Sequence, residues 1–318
     1  MGTLLAVRNL SVAYKIGKKD IPAVSGINLD LNAGDSLAIV GESGCGKSTF
    51  GLSIPKLLPA EAVIKSGEIY LHDKNVLLIN DSDLKNIRGG KIAYIFQDPL
   101  SCLNPVIKVG EQIRETLESH GYDDSLEANI IRLLSIVKLR DAERVSDSYP
   151  HQLSGGQRQR VMIAQALSCN PELLIADEPT TALDVTTQGE ILGLLSDLIS
   201  EFRLTLIFIT HNFQIIGSVA SKIAVMYAGE IVEEGNTSEV FKSPGHPYTK
   251  ALISIIPKNI ERLNRFNAIP GDLPDLSVLR SGCRFFPRCS SRTQRCERED
   301  PVLIQEGNRK IRCFNPCL

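Results

Sequence analysis

The sequence has neither a surplus of charge of one sign nor a long uninterrupted hydrophobic run. Its 35 lysines and arginines nearly balance 37 aspartates and glutamates, and the net charge of −2 gives no indication of a nucleic-acid partner. The longest stretch without these four residue types is 204–221, which His211, Asn212 and Gln214 interrupt. It fits a strand, a turn and a helix better than a membrane span. We therefore expect no nucleic acid as a partner, and expect any membrane-spanning segment to belong to another subunit.

The N-terminal residues 1–9 also lack the basic start and long apolar core of a secretory signal, so we expect the chain to stay in the cytosol. With 43% hydrophobic and 23% charged residues, the 318-residue chain can form a sizeable core. No short-period repeat stands out, but proline, arginine and cysteine replace the apolar runs after about Pro257. This change predicts one domain over 1–257 and a cysteine-rich extension over 258–318.

Short apolar runs alternate with helical segments through the first of these domains. The runs lie at 37–40, 92–96, 173–176, 204–209 and 223–226. Buried strands separated by helices predict an α/β fold with a mostly parallel sheet covered on both faces. Between about 98 and 166, amphipathic stretches such as 109–119 and 125–139 take over, which predicts a helical insertion.

A glycine-rich loop follows the first apolar run and fits the pattern G-x-x-x-x-G-K-[ST]. Alone it could be a simple turn, but the preceding strand and following helix are the context that a phosphate loop requires. Its backbone N–H groups would surround phosphate oxygens, Lys47 would contact the β- and γ-phosphates, and the Ser48 hydroxyl would bind Mg²⁺. The predicted ATP-binding residues here are Gly41, Glu42, Ser43, Gly44, Cys45, Gly46, Lys47, Ser48 and Thr49.

Cys45 lies inside this loop, just before the predicted helix. A helix N-terminus can lower the pKa of a thiol. The sequence therefore suggests the hypothesis that oxidation of Cys45 inhibits the activity of the protein.

Two carboxylates, Asp177 and Glu178, end the apolar run at 173–176. Ligands of α/β folds gather at the carboxyl edge of the sheet, which is where these residues are predicted to lie. Asp177 would hold Mg²⁺, and Glu178 would act as a general base that polarises the attacking water. An isolated acidic pair is usually a solvated loop or a helix cap, but the phosphate loop favours the catalytic interpretation.

The motif Leu153-Ser154-Gly155-Gly156-Gln157 lies between these two parts of the nucleotide site, and 14–235 as a whole resembles an ABC-type ATPase domain. In that family Tyr14 matches the aromatic residue that stacks on adenine, Gln97 the Mg²⁺-sensing glutamine, and His211 the switch histidine that assists catalysis. The resemblance implies a P-loop NTPase core with an antiparallel β subdomain and a helical subdomain at about 98–166.

The resemblance also implies that the site is completed by a second subunit. Ser154, Gly155 and Gly156 precede the helical pattern at 159–167, so their N–H groups would form an anion site at a helix N-terminus. In the family, two ATPase domains pair head to tail, and each signature motif closes over ATP that the other holds. The residues expected to contact the partner's ATP are Ser154, Gly155, Gly156, Gln157 and, within Ala182-Leu183-Asp184, Asp184.

The segment at 243–252 resembles the ATPase subunits of oligopeptide and dipeptide importers, a group that also includes nickel and some oligosaccharide importers. Alone it could be a turn that enters a helix. The resemblance implies an ATP-hydrolysing subunit on the cytoplasmic face of the membrane. Its partners would be a related second ATPase, two permease subunits and an extracytoplasmic substrate-binding protein. A nickel or oligosaccharide importer, or a soluble non-transport ABC ATPase, is the alternative.

Five of the eight cysteines lie in the extension: Cys283, Cys289, Cys296, Cys313 and Cys317. A cytosolic location favours a soft-metal site over disulfides. The first four are separated by 5, 6 and 16 residues, a spacing that leaves iron–sulfur, zinc and free thiols open. Similarity to the tails of peptide-importer ATPases favours a [4Fe–4S] cluster on these four, with Cys317 as a spare, and zinc is the alternative.

Arginines flank these cysteines, at 284, 288, 292, 295 and 312. They would offset the negative charge of a four-thiolate site. Alternatively, they form a solvated or partner-facing basic surface.

Overall fold

The computed structural model describes residues 2–181, 183–256, 269–278 and 281–317. Two predictions fall outside this part: Ala182 of the 182–184 motif, and the boundary between residues 257 and 258. The strands are β1 (Thr3–Ile16), β2 (Lys19–Asn32), β3 (Ser36–Val40), β4 (Ala62–Leu71), β5 (Lys74–Asn75), β6 (Ile92–Ile95), β7 (Leu173–Asp177), β8 (Thr205–Thr210), β9 (Lys222–Tyr227), β10 (Glu230–Asn236), β11 (Ile304–Glu306) and β12 (Arg309–Ile311).

The helices are α1 (Lys47–Ser53), α2 (Asp81–Ile87), α3 (Pro99–Cys102), α4 (Val109–Ser119), α5 (Leu126–Ile136), α6 (Ala142–Ser146), α7 (Gly155–Leu167), α8 (Val185–Phe202), α9 (Thr237–Lys242), α10 (Pro247–Ile255) and α11 (Gln294–Arg298). Two of the helices, α4 and α5, lie close to the stretches 109–119 and 125–139 that the apolar patterns predict. None of the helices in the described ranges is both long and apolar enough to cross a membrane.

The chain divides into two compact units. The first unit contains Asn32–Ser36 and Leu78–Phe208. In it, β7 lies between β6 and β8, and the β6–β7 pair is parallel. The stretch from α3 to α7 is helical, as predicted for 98–166, and buried apolar side chains such as Ile113, Ile130 and Val161 pack these helices together.

The second unit contains Gly2–Leu31, Leu37–Leu77 and Ile209–Leu318. One sheet has the order β2-β1-β4-β5, and its β1–β4 and β4–β5 pairs are antiparallel, as expected for an antiparallel subdomain. Another sheet has the order β11-β12-β10-β9-β3, in which β3 and β9 are parallel. Strand β12 pairs with β10 at Glu233 and Ile311, so the cysteine-rich extension contributes two strands to this sheet.

Candidate functional site

The phosphate loop connects β3 to α1, as the sequence predicts. Gly46 has φ of +104°, and a Cβ atom there would lie 2.2 Å from the carbonyl oxygen of Ala23. A Cβ on Gly41 would lie 2.2 Å from the carbonyl oxygen of Met226. Any larger residue at either position would therefore force the loop away from its supporting backbone.

Lys47 is only 5% exposed, and its Nζ atom donates hydrogen bonds of 2.9 Å to the carbonyl oxygens of both Gly41 and Glu42. The ammonium group thus lies within the curve of the loop. Ser48, beside it, is exposed, and its hydroxyl is a suitable oxygen ligand for Mg²⁺.

Tyr14 lies near the end of β1 in the same unit as the loop. Its hydroxyl is 3.2 Å from Oγ1 of Thr49 in α1, and either atom can be the donor. This contact places the ring beside the helix that follows the phosphate loop. The position is compatible with the predicted adenine contact.

The hypothesis of a reactive Cys45 is wrong in its premise. Cys45 is 1% exposed, and burial raises the pKa of its thiol despite the opposing charge of Lys47. A helix N-terminus lowers a thiol pKa only where the thiolate keeps solvent or other stabilising partners. Cys45 therefore behaves as a small packing residue, and the expectation of easy oxidation is not supported.

Asp177 ends β7 in the first unit and is 7% exposed. The hydroxyl of Tyr94, on the adjacent strand β6, donates a 2.9 Å hydrogen bond to its Oδ2 atom. Burial and the negative charge of Asp177 both raise the pKa of Tyr94, so that the phenol stays a donor. No motif or periodicity in the sequence predicts this contact.

Glu178 follows with a φ of +46°, a backbone conformation that is uncommon for a residue with a side chain. Its Oε2 atom accepts a 2.9 Å hydrogen bond from the Thr181 hydroxyl and a 3.3 Å hydrogen bond from Nε2 of Gln97. Parallel pairing of Ile95 with Ala176 brings the ends of β6 and β7 to the same edge. The structure thus brings Gln97 and Glu178 into contact, and the oxygen-bearing side chains at this edge are ligands that suit Mg²⁺.

The signature motif starts α7 earlier than predicted. The helix begins at Gly155 rather than near residue 159, because Ser154 and Gln157 form a capping box. The Ser154 N–H donates to Oε1 of Gln157 over 3.0 Å, and the Gln157 N–H donates to Oγ of Ser154 over 3.3 Å. Gly155 and Gly156 therefore lie in the first helical turn, whose N–H groups point toward the helix N-terminus.

Asp184 supports the signature motif in the same unit. It caps α8, and its carboxylate accepts hydrogen bonds from both the N–H and the hydroxyl of Thr187, over 3.0 and 2.7 Å. These bonds lower the pKa of Asp184. A Cβ on Gly156 would lie 2.6 Å from Cγ2 of Thr187, which explains the second glycine of the motif by packing.

His211 belongs to the second unit and is exposed directly after β8. The following Asn212 donates its N–H to Oγ1 of Thr210 over 3.0 Å and accepts the N–H of Gln214 over 3.0 Å. This turn begins a 3-10 helix at Phe213–Ser218, where the sequence predicts a helix.

The extension brings its cysteines within electrostatic range of one another. Burial, with the charges of Cys296, Cys313 and Cys289, raises the pKa of Cys283 to about 12. Burial and neighbouring thiols likewise raise the pKa of Cys313 to about 11. Sγ of Cys313 accepts the Asn315 N–H over 3.3 Å. Within the described residues, however, no three His, Cys, Asp or Glu side chains already have the arrangement of a metal site.

Two family models match the chain. The model described as ABC transporter matches residues 24–181, and the model described as the C-terminal region of oligopeptide/dipeptide transporters matches residues 232–296. The first match contains the phosphate loop, the signature motif and the acidic strand. The second contains the 243–252 segment and three of the cysteines.

Curated relatives align over nearly the full length of the chain. The oligopeptide transport ATP-binding protein AppD of Bacillus subtilis is 43% identical over 99% of this chain and 97% of its own length. The dipeptide transport ATP-binding protein DppD of Haemophilus influenzae is 41% identical over 98% of this chain and 96% of its own.

Solved ABC cassettes have the same fold. A dimeric, post-hydrolysis ATP-binding cassette bound to ADP and Pi superposes with a TM-score of 0.65 and 31% identity, covering 73% of this chain and 98% of that one. A component of an ABC transporter complex from Clostridium perfringens gives a TM-score of 0.65 at 29% identity over 76% and 92%. These matches confirm the predicted α/β fold with a P-loop ABC core. The chain belongs to the ABC transporter ATP-binding proteins, in the oligopeptide/dipeptide family.

Proposed function

We propose that this chain is the ATP-hydrolysing subunit of an importer for dipeptides or oligopeptides. The observation that carries the proposal is the match of residues 232–296 to the C-terminal region of oligopeptide/dipeptide transporters, alongside the ABC cassette at 24–181. The names of the relatives that align over nearly the whole chain agree with peptide transport. Nickel and oligosaccharide import are the alternatives within the same group.

In this proposal the backbone N–H groups of the phosphate loop and Lys47 bind the ATP phosphates. Ser48, Gln97 and Asp177 are the residues proposed to hold Mg²⁺, which would neutralise charge on the phosphate oxygens. Glu178 accepts a proton from water, the water oxygen forms a bond to the γ-phosphorus, and the bond to the ADP oxygen breaks. Thr181 and Gln97 support this role because they hold the acceptor oxygen of Glu178 by hydrogen bonds. His211 would assist in stabilising the charge that develops on the γ-phosphate.

The signature residues Ser154, Gly155, Gly156 and Gln157, together with Asp184, would contact ATP held by a second ATPase subunit. Hydrogen bonds within the chain support this proposal. The capping box of α7 and the Asp184–Thr187 bonds at the start of α8 keep these residues in a fixed arrangement at two helix N-termini. We propose a related second ATPase, two permease subunits and an extracytoplasmic binding protein as partners. The chain would then lie at the cytoplasmic face of the membrane.

Reconstitution tests the proposal directly. The chain is co-expressed with the proposed permease and second ATPase subunits, purified as a complex and placed in vesicles with the proposed binding protein. We expect ATP-dependent accumulation of labelled di- or oligopeptide, abolished when ATP is replaced by ADP. Accumulation of nickel or an oligosaccharide instead would assign the alternative cargo, and a chain that joins no permease would contradict the importer assignment.

We further propose that Cys283, Cys289, Cys296 and Cys313 bind a [4Fe–4S] cluster, with zinc as the alternative metal. Neighbouring thiols contribute to the raised pKa values of Cys283 and Cys313, and the N–H of Cys283 donates a 2.8 Å hydrogen bond to the carbonyl oxygen of Cys296. This proximity supports a shared site, because a cation would relieve the cost of gathering thiolates. The N–H of Asn315 directed at Sγ of Cys313 is the kind of donor that stabilises a ligating thiolate. The four side chains would have to close around the metal on binding.

Cys289→Ser is expected to abolish the cluster. Protein purified anaerobically should contain about four iron atoms per chain with broad visible absorption, as a [4Fe–4S] cluster requires, and the variant should lose both. Cys102→Ser is the matched control because Cys102 is an exposed cysteine in the helical segment outside the extension. Zinc in place of iron would assign the alternative metal, and equal iron in wild type and Cys289→Ser would contradict the ligand assignment.

A further inference from the structure

Glu42, the second residue of the phosphate loop, is held by an arginine from the cysteine-rich extension. Arg288 Nη1 donates to Oε2 of Glu42 over 2.7 Å, and Nη2 donates to Oε1 over 2.9 Å. The arginine side chain is 4% exposed. The Glu42 side chain is 29% exposed, but two parallel hydrogen bonds from a buried guanidinium fix its carboxylate in both position and orientation.

The segment at 243–252 holds the same residue from another direction. The N–H of Glu42 donates to the hydroxyl of the fully buried Tyr248 over 2.9 Å. His246 in turn accepts the Tyr248 N–H at its Nδ1 over 3.0 Å, and Glu233 accepts the N–H of His246 over 2.9 Å. Burial lowers the pKa of His246 to about 3, which keeps Nδ1 available as an acceptor. This segment therefore forms a rigid support whose hydroxyl end meets the phosphate loop.

The backbone carbonyl of Glu42 contacts Lys47, the proposed phosphate-binding lysine. The carbonyl oxygen accepts a 2.9 Å hydrogen bond from Nζ of Lys47. The carboxylate, N–H and carbonyl of one residue are thus bound by Arg288, Tyr248 and Lys47 respectively. A change in how Arg288 or Tyr248 holds Glu42 would rotate the peptide groups that hold the lysine ammonium.

Aromatic packing joins the two supports. The rings of Tyr248 and Phe285 lie 5.3 Å apart, and the ring of Tyr227 lies 4.6 Å from Tyr248 and 5.1 Å from Phe285. Phe285 belongs to the extension and is 3% exposed. The extension therefore packs into the core beside the phosphate loop. A solvated basic tail would not bury an aromatic side chain in this way.

A second arginine of the extension reaches the loop through a turn. Arg284 donates to the carbonyl oxygen of Ala228, and the N–H of the next residue, Gly229, donates to the carbonyl oxygen of Cys45 over 2.8 Å. The extension thus contacts the loop directly at Glu42 and indirectly at Cys45, through the turn at Ala228 and Gly229. The side chains of Arg284 and Arg288 are largely buried and bind Ala228 and Glu42, which contradicts the alternative of a solvated basic surface for these two arginines.

We propose that Arg288 of the C-terminal extension and Tyr248 of the 243–252 segment are positioning residues, which set the geometry of Glu42 and Lys47 and thereby the affinity for ATP. This inference rests on the proposed role of Lys47 in phosphate binding. Neither residue touches the nucleotide in this mechanism. Both act through Glu42.

The test is a double-mutant cycle in the purified full chain, with the Kd for Mg²⁺–ATP as readout. Arg288→Gln and Glu42→Gln should each raise the Kd by roughly tenfold, a size typical of coupling between sites. The double variant should bind no more weakly than either single variant, because both changes break the same contact. Additive losses would overturn the proposal, since they would show that Arg288 acts without Glu42.

Arg295→Gln is the matched control. Arg295 also directly precedes a cysteine of the extension, but it pairs with Glu299 at the surface and is 60% exposed. We expect its Kd for ATP to equal that of the wild type. An equal rise in Arg295→Gln and Arg288→Gln would mean that any loss of charge near the cysteines weakens binding, and would overturn the proposal.

Tyr248→Phe provides an independent test in a variant that keeps the buried ring. Loss of the hydroxyl removes the acceptor for the Glu42 N–H, so the Kd for Mg²⁺–ATP should rise. To check that the variant is folded, its thermal unfolding midpoint is compared with that of Arg295→Gln. Unchanged affinity in both Tyr248→Phe and Arg288→Gln, together with weakened binding by Lys47→Ala, would defeat this inference and leave the phosphate-loop assignment intact. Normal binding by Lys47→Ala would defeat that assignment itself.

Discussion

Lys47→Ala is expected to weaken ATP binding by roughly 100-fold, because removing one partner of a desolvated charge pair costs about 2–5 kcal/mol. In the structure the Lys47 ammonium is bonded to the carbonyl oxygens of Gly41 and Glu42 within the curve of the loop. In the proposed complex with ATP, the Lys47 ammonium would replace part of its hydrogen bonding to these carbonyl oxygens with hydrogen bonds to phosphate oxygens. Titration of the purified chain with a fluorescent ATP analogue measures the loss.

The alanine variant also removes the two hydrogen bonds from Lys47 that shape the loop, so stability must be measured beside affinity. Lys65→Ala is the matched control, because Lys65 pairs with Asp20 at the surface of the same unit and is 39% exposed. We expect both variants to unfold near the wild-type temperature and only Lys47→Ala to lose ATP. If Lys47→Ala bound ATP with wild-type affinity, the lysine would have no role in the site.

Periodicity and motif order predicted most of the fold. The apolar pattern at 109–119 coincides with α4, and the run at 173–176 lies within β7 (Leu173–Asp177), because both patterns reflect which side chains are buried. The apolar pattern predicts that α7 starts near residue 159, whereas the helix begins at Gly155, because the pattern reports only which side chains are buried. The first turn of α7 is fixed by the Ser154–Gln157 capping box, a local hydrogen-bond pattern that carries no apolar signal.

Contacts between distant parts of the chain could not be predicted in this way. Glu42 and Arg288 are 246 residues apart, and each alone looks like an exposed charged residue. The Tyr94–Asp177 hydrogen bond likewise depends on the pairing of two strands 83 residues apart. Cys45 shows the limit for electrostatics, since its burial outweighs the helix N-terminus that the sequence suggested.

Glu178→Gln is expected to reduce ATP turnover by about 100- to 10,000-fold, the range that general-base catalysis contributes. A glutamine cannot accept the proton from water, but its amide oxygen can take the place of Oε2. That oxygen would keep the hydrogen bonds from Thr181 and Gln97, so that the local structure persists without the base. The phosphate loop is unchanged in the variant, which should therefore still bind ATP and accumulate the closed, ATP-bound dimer.

Glu172→Gln separates this effect from a general loss of negative charge. Glu172 immediately precedes β7, at the opposite end of the strand from Glu178, and pairs with Lys91 over 2.6 Å. We expect this control to hydrolyse ATP at the wild-type rate in the assembled transporter. Phosphate release and bound ATP are measured on the same sample. A variant that lacks the general base should release little phosphate but should still bind ATP. Undiminished phosphate release by Glu178→Gln would show that hydrolysis does not need the Glu178 carboxylate, and would contradict its assignment as the general base.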